Sequence, residues 1–260
     1  MKIAVITPYF KEGRDVLQRC MESVRTQCIP VDQILVADGH PQNWVESHHR
    51  ITHVVLPKNA GDFGDTPRCL GFLLGLRSGY DILQFLDVDN ILMPDHFEVV
   101  LEHFRDVANA DFPDVVVSRR HMLRPDGSVL PIGIPEDDER RHIDTNCYVF
   151  YRTAFELGLR WSLIPKQLAF MDDRVFYGML VTANVKIAFN QRKTVGYTCL
   201  WESAYRRLGE EPPPNCRNIE GHRAEALAWW RALDRHTRRI IERQLGVPIF
   251  ETPNTTEVSS

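Results

Sequence analysis

Ile82-Leu83-Gln84-Phe85-Leu86-Asp87-Val88-Asp89-Asn90 is the most informative stretch of the chain. The run Ile82–Leu86 is short and mostly apolar, the pattern of a buried strand. It ends in two acids separated by one residue. Runs of the same kind occur at Ile3–Ile6, Ile34–Ala37, His53–Leu56 and Val115–Val117. Helical patterns lie between them. Val16, Leu17, Cys20, Met21 and Val24 share one face, and Leu70, Leu73, Leu74 and Arg77 mark a second helix. Phe97, Val100, Leu101 and Phe104 mark a third, after Pro94. This alternation predicts an α/β fold with a mostly parallel sheet flanked by helices.

Ligands of such a sheet collect beyond the C-terminal ends of its strands. The segments to watch are therefore Thr7-Pro8-Tyr9, Asp38-Gly39-His40-Pro41, Lys58-Asn59-Ala60-Gly61 and Asp87-Val88-Asp89-Asn90. A strand-end carboxylate pair such as Asp87 and Asp89 suits a hard divalent cation that keeps water and substrate phosphate as its other ligands. The same acids also suit a solvated turn or a helix cap. Asp38 offers an acceptor to a base N–H or a ribose hydroxyl, or forms an ordinary Asp-Gly turn. Asp172-Asp173 opens a predicted helix, where acids favour the positive dipole end. Repulsion and burial there also raise a carboxylate pKa toward that of a general base.

The second half is less regular. Arg124-Pro125-Asp126-Gly127 reads as a turn and 135–141 as a charged, exposed loop. Strands are predicted at Cys147–Tyr151, Val185–Phe189 and Thr194–Leu200, with a helix over Asp172–Val181. Pro212-Pro213-Pro214 reads as a rigid spacer before an amphipathic helix over about 222–245, and 251–260 as a disordered tail.

Composition narrows the function. The 260 residues carry 31 Lys and Arg against 35 Asp and Glu, a net charge of −4, which speaks against nucleic-acid binding by the whole surface. The six cysteines, none in a C-x-x-C pair, read as reduced and mostly buried thiols. The N-terminus does not read as a secretory signal and no apolar run is long enough to span a bilayer. A cytoplasmic protein is expected. Arg223, Arg231, Arg235, Arg238, Arg239 and Arg243 make the 222–245 segment basic enough for peripheral contact at the inner membrane face.

Five motifs, in order, resemble the family-2 glycosyltransferases of GT-A (Rossmann-like) fold. They are Val5-Ile6-Thr7-Pro8-Tyr9-Phe10, Ser23-Val24-Arg25-Thr26-Gln27, Val36-Ala37-Asp38-Gly39-His40, Asn59-Ala60-Gly61 followed by Thr66-Pro67-Arg68, and Leu86-Asp87-Val88-Asp89-Asn90-Ile91-Leu92-Met93-Pro94. The likeness spans about 1–200. Ala37 and His40 depart from the family's Asp-Asp-Gly-Ser.

The resemblance implies a metal-dependent inverting transfer of a sugar from a nucleotide-diphosphate donor, a UDP-sugar by expectation, to a hydroxyl acceptor. That acceptor would be a glycan or a lipid-linked molecule. Thr7, Tyr9 and Asp38 would hold the nucleoside, and Arg68 the base or diphosphate. Asp89, with Asp87, would hold Mn²⁺ or Mg²⁺, and Asp87 also matches a ribose-contacting position. Asp173 would be the base with Asp172 in reserve, and Asp144 and Asn146 would contact the acceptor. His121 and His222 are further possible metal ligands. The expected organisation is a nucleotide-sugar-binding half over 1–112, an acceptor-binding half of the same domain over 113–205, and a helical extension over 206–250.

Two alternatives fit less well. A sugar nucleotidyltransferase carries a glycine-rich basic loop after its first strand, whereas Thr7–Arg14 has one glycine; a dinucleotide oxidoreductase lacks its fingerprint here for the same reason. A non-catalytic nucleotide-binding scaffold using the basic C-terminal helix would not need both acid pairs.

Overall fold

The chain is described as a computed structural model over residues 1–106, 108, 110–134, 143–218 and 220–250. The charged segment 135–141, His142 and the tail 251–260 lie outside the described residues.

The elements follow in chain order as β1 (Ile3–Tyr9), α1 (Arg14–Arg25), β2 (Asp32–Ala37), β3 (Ile51–Val55), α2 (Asp65–Arg77), β4 (Ile82–Phe85), β5 (Ile91–Leu92) and α3 (His96–His103). Then come β6 (Val115–Leu123), β7 (Tyr148–Tyr151), α4 (Phe155–Gly158), α5 (Asp172–Thr182), β8 (Ile187–Thr198), α6 (Glu202–Leu208), α7 (Glu220–Ala232) and α8 (Arg235–Leu245). The strands form one sheet in the order β3-β2-β1-β4-β7-β6-β8-β5. Pairings β1–β2, β1–β4, β2–β3 and β6–β8 are parallel. Pairings β4–β7, β6–β7 and β5–β8 are antiparallel. The chain builds outward from β1 to β3, then crosses to β4 on the other side. That reversal opens a crevice at the ends of β1 and β4.

Alternate residues of each central strand feed opposite cores. Ala4 and Ile6 join Phe72, Phe85, Trp161 and Phe176 on one face. Ile3 and Val5 join Leu17, Val24, Phe97 and Val100 beneath α1 and α3 on the other. Trp161 lies 4.2 Å from Phe176 and 5.4 Å from Phe85, ring centre to ring centre.

Four expectations change. The predicted leucine face of α2 is turned outward: Leu70 and Leu73 are exposed, and the helix buries Gly71, Phe72 and Gly75 instead. A Cβ on Gly71 would come within 2.5 Å of Ile6 Cγ2, so the missing side chain lets the helix backbone reach the sheet. The run around His53 is a half-buried edge strand, not a buried one. The two strands predicted within 185–200 are one continuous 12-residue strand, β8. The single helix predicted over 222–245 is two helices: Asp234 ends the first and caps α8, accepting from the N–H groups of His236 and Thr237. Among the described residues no helix is long and apolar enough to cross a membrane. All six cysteines are free; Cys20, Cys147 and Cys199 are buried, and Cys28 is exposed.

Candidate active site

A cleft of about 510 Å³ lies beyond the C-terminal ends of β1, β2 and β4. Tyr9, Asp38, Arg68, Asp87, Asp89, Asp144, Asp172 and Asp173 all line it; Thr7 and Asn146 do not.

At the end of β2, Asp38 precedes Gly39, whose φ is +80°. A Cβ on Gly39 would sit 2.5 Å from the backbone nitrogen of Asn59, so only glycine lets the two loops meet. As a result Ala60 N–H donates to Asp38 Oδ1 at 2.9 Å and Asn59 Nδ2 donates to Oδ2 at 3.1 Å. Burial raises the Asp38 pKa. Tyr9 supports this corner: its hydroxyl accepts Gln42 N–H at 2.9 Å and shares a 2.7 Å hydrogen bond with His53 Nε2. Thr7 corrects the expectation of a nucleoside contact. It is fully buried, and its hydroxyl accepts from Gln33 Nε2 at 2.9 Å inside the sheet.

At the end of β4 the backbone is clamped. Asp87 N–H donates to Asn146 Oδ1 at 2.5 Å. The Asp89 carbonyl accepts from Arg19 Nη2 at 2.8 Å and from the Thr198 hydroxyl at 2.5 Å. Both Asp87 oxygens have partners: Oδ1 accepts from Arg68 Nη2 at 2.6 Å and Oδ2 from Asn146 Nδ2 at 3.0 Å. Among the described residues no side chain hydrogen-bonds the Asp89 carboxylate. Burial, then the neighbouring Asp87, push its carboxyl up to about 7, against the pull of Arg217.

This donor chemistry fits a hard divalent cation. Asp89 is a carboxylate held in a repulsive field that a cation would relieve. Among the described residues no group of three or more His, Cys, Asp or Glu side chains is placed to hold a metal ion. A cation at Asp89 would therefore take most of its ligands from substrate phosphate and water.

Asn146 also departs from expectation. It is fully buried beneath the cleft and joins two acids rather than facing an acceptor. Its Nδ2 donates to Asp87 Oδ2 and, at 2.8 Å, to Asp144 Oδ1, while its own N–H donates to Asp144 Oδ1 at 3.0 Å. Asp144 lines the cleft and is ion-paired to Arg120.

The two acids opening α5 have different surroundings. Asp172 faces inward, 3.8 Å from Arg68 Nη1 and 3.4 Å from Trp161 Nε1. Beside it is Asp65, which accepts from Trp161 Nε1 at 2.7 Å and pairs with Arg68 at 3.2 Å. Burial, then the Asp172 charge, raise the Asp65 pKa, with Arg68 opposing. Asp173 turns to the cleft. Burial, then Asp172 and Asp144, hold its pKa well above the ordinary carboxylate value, with Arg120 opposing. A raised pKa is what a carboxylate needs to accept a proton from a hydroxyl.

Sequence reasoning missed Asp65, Arg120, Trp161 and Arg217. Asp65 and Arg68 stand three apart on α2, a spacing that signals a helical ion pair; the others meet the site only through the fold. Among the predicted histidines, His222 lines the cleft, 6.1 Å from Phe63 between ring centres, and His121 does not line it.

Solved structures share this fold. The S. aureus TarS 1–349 structure superposes with a TM-score of 0.59 at 15% identity, covering 94% of this chain and 70% of that one. The same protein in complex with UDP-GlcNAc gives 0.55 at 15%, covering 94% and 72%. The mannosyltransferase PcManGT from Pyrobaculum calidifontis, in complex with GDP-Man and Mn²⁺, gives 0.53 at 12%, covering 96% and 81%. These likenesses establish a GT-A-like fold. No curated protein matches the chain in sequence. The model of Glycosyl transferase family 2 matches residues 4–155, more than half of the chain, and the protein belongs to that family of nucleotide-sugar glycosyltransferases.

Proposed function

We propose that the protein is an inverting glycosyltransferase that uses a uridine-diphosphate sugar and a divalent cation, Mn²⁺ or Mg²⁺, to glycosylate a hydroxyl acceptor. The observation that carries this reading is that one cleft collects Asp38, the β4-end acids Asp87 and Asp89, and the raised-pKa carboxylate Asp173. Segment 1–112 supplies the donor side and 113–205 the acceptor side. Asp38 presents a buried acceptor suited to an imide N–H, which uracil carries. Arg68 holds Asp87 in place from within the wall, so Asp87 is available to a ribose hydroxyl rather than to bulk water. A cation bound at Asp89 supplies countercharge to the diphosphate leaving group.

The acceptor oxygen attacks the anomeric carbon from the face opposite the diphosphate. Asp173 takes the acceptor's proton, the new C–O bond forms, and the bond from the anomeric carbon to the phosphate oxygen breaks. Single displacement inverts the configuration. Asp144, fixed by Arg120 and Asn146, lies on the acceptor side with Asp173.

Titration calorimetry of UDP and GDP, with and without Mn²⁺, tests the reading on wild type and Asp89→Ala. Wild type binds UDP in a Mn²⁺-dependent manner, and Asp89→Ala loses that dependence. Metal-independent binding equal in both proteins overturns the metal site. Preference for GDP overturns the uridine assignment.

A further inference from the structure

The cleft is lined by eight carboxylate side chains and two arginines. A nucleoside diphosphate entering it adds more negative charge. One of the two arginines is already committed: Arg68 is buried and packed against Asp65, Asp87 and Asp172 at 3.2, 2.6 and 3.8 Å. Arg217 is different. It is exposed at the cleft. Among the described residues no carboxylate oxygen lies within 4.0 Å of its guanidinium, although its charge is felt at Asp89.

The backbone at Arg217 is fixed. After α6 the chain turns at Gly209, with φ at +72°, and passes through Pro212-Pro213-Pro214. It then returns to the exit of β8. Cys216 N–H donates to the Pro213 carbonyl at 3.0 Å, Arg217 N–H donates to the Leu200 carbonyl at 2.7 Å, and Glu202 N–H donates to the Arg217 carbonyl at 3.2 Å. These bonds hold Arg217 in a parallel bridge beside Trp201, another residue of the cleft wall. The proline run is thus more than a spacer, because the loop it stiffens carries a cation back to the acids at the end of β4.

We propose that Arg217 clamps the donor's diphosphate: its guanidinium fork binds phosphate oxygens next to Asp89, and the 209–217 loop serves to deliver it there. A guanidinium presents parallel N–H donors that match phosphate geometry, and an exposed side chain on an anchored backbone can meet the ligand without unfolding anything. The proposal rests on the reading of the cleft as a nucleotide-sugar site.

Titration calorimetry of the full chain in Mn²⁺ separates the two ideas. UDP and uridine are titrated into wild type, Arg217→Gln and Arg217→Lys, with a thermal melt of each variant to verify folding. Arg217→Gln is expected to bind UDP about ten- to hundredfold more weakly, the scale of lost charge-assisted hydrogen bonds, with uridine affinity unchanged. Arg217→Lys should recover part of the UDP affinity, since it restores the charge but not the fork. UDP affinity in Arg217→Gln within twofold of wild type overturns the clamp, as does an equal loss of UDP and uridine. If wild type prefers GDP, the same comparison runs with GDP and guanosine. If wild type binds neither diphosphate, the nucleotide-sugar reading falls and the clamp falls with it.

Discussion

Asn146→Ala separates two roles for one buried side chain. As an acceptor contact, Asn146 would affect only the KM for acceptor. As the bracket described here, it holds Asp87 N–H at 2.5 Å, Asp87 Oδ2 at 3.0 Å and Asp144 Oδ1 at 2.8 Å. Truncation leaves Asp87 N–H without its partner, at about 1–3 kcal/mol for an unsatisfied buried donor. The two carboxylates lose less, because Arg68 still holds Asp87, and Arg120 and the Asn146 backbone N–H still hold Asp144. The total is about 2–4 kcal/mol, which for a chain of this size lowers Tm by roughly 5–12 °C. Thermal unfolding followed by circular dichroism measures it. A titration of UDP with Mn²⁺ on the same sample should show weaker binding, because Asp87 is no longer held. A variant that melts within about 1 °C of wild type and binds UDP normally would refute the bracket and restore the acceptor role.

Asp173→Asn should lower kcat by about 10²-fold or more while UDP binding stays intact; normal turnover would remove Asp173 as the base. Asp65 keeps its proton in the folded state to a higher pH than in the unfolded chain. Its contribution is therefore retained at low pH and lost as pH rises above about 4, with a slope of at most about 1.4 kcal/mol per pH unit. Asp65→Asn keeps an oxygen for Trp161 N–H and should flatten the decline expected in urea unfolding between pH 5 and pH 8; parallel slopes in variant and wild type would count against the raised Asp65 pKa. Gly71→Ala adds a methyl 2.5 Å from Ile6 Cγ2. The overpacking costs about 1–3 kcal/mol, only partly offset by the roughly 0.5–1 kcal/mol gain in helix propensity. A more stable variant in urea unfolding would contradict the close approach of α2 to the sheet.

The first half of the fold was legible because its strands are continuous apolar runs. β1, β2 and β4 were each located from such a run, and the acids that follow them fall in one cleft. The pattern misled where packing depends on what is absent. α2 reads as a leucine helix, yet its glycines and Phe72 face the sheet, and Leu70 and Leu73 are left outside. β8 reads as two strands because the polar Asn190, Gln191, Arg192 and Lys193 interrupt it, but pairing with β6 carries it through with a register shift. Asp234 breaks the C-terminal helix by offering a better cap than the helix interior offers a partner. In the site, residue type was informative and direction was not. Thr7 and Asn146 lie beside the expected contacts and point into the protein. Trp161 and Asp65 are 96 residues apart, a distance over which no local pattern carries information.

β8 has a further consequence. It pairs with β6 and with β5, which follows the Asp89 turn, and its Thr198 hydroxyl donates to the Asp89 carbonyl. The segment that carries the β4-end acids and the strands of the second half therefore belong to one sheet. Opening and closing two lobes on this frame would have to break the pairing of β8 with β6 or with β5. Motion that admits substrates without breaking strand pairing falls to the segments outside the sheet that rim the cleft, around Phe63 and around His222. Stiffening those segments should then change turnover while leaving the scaffold untouched.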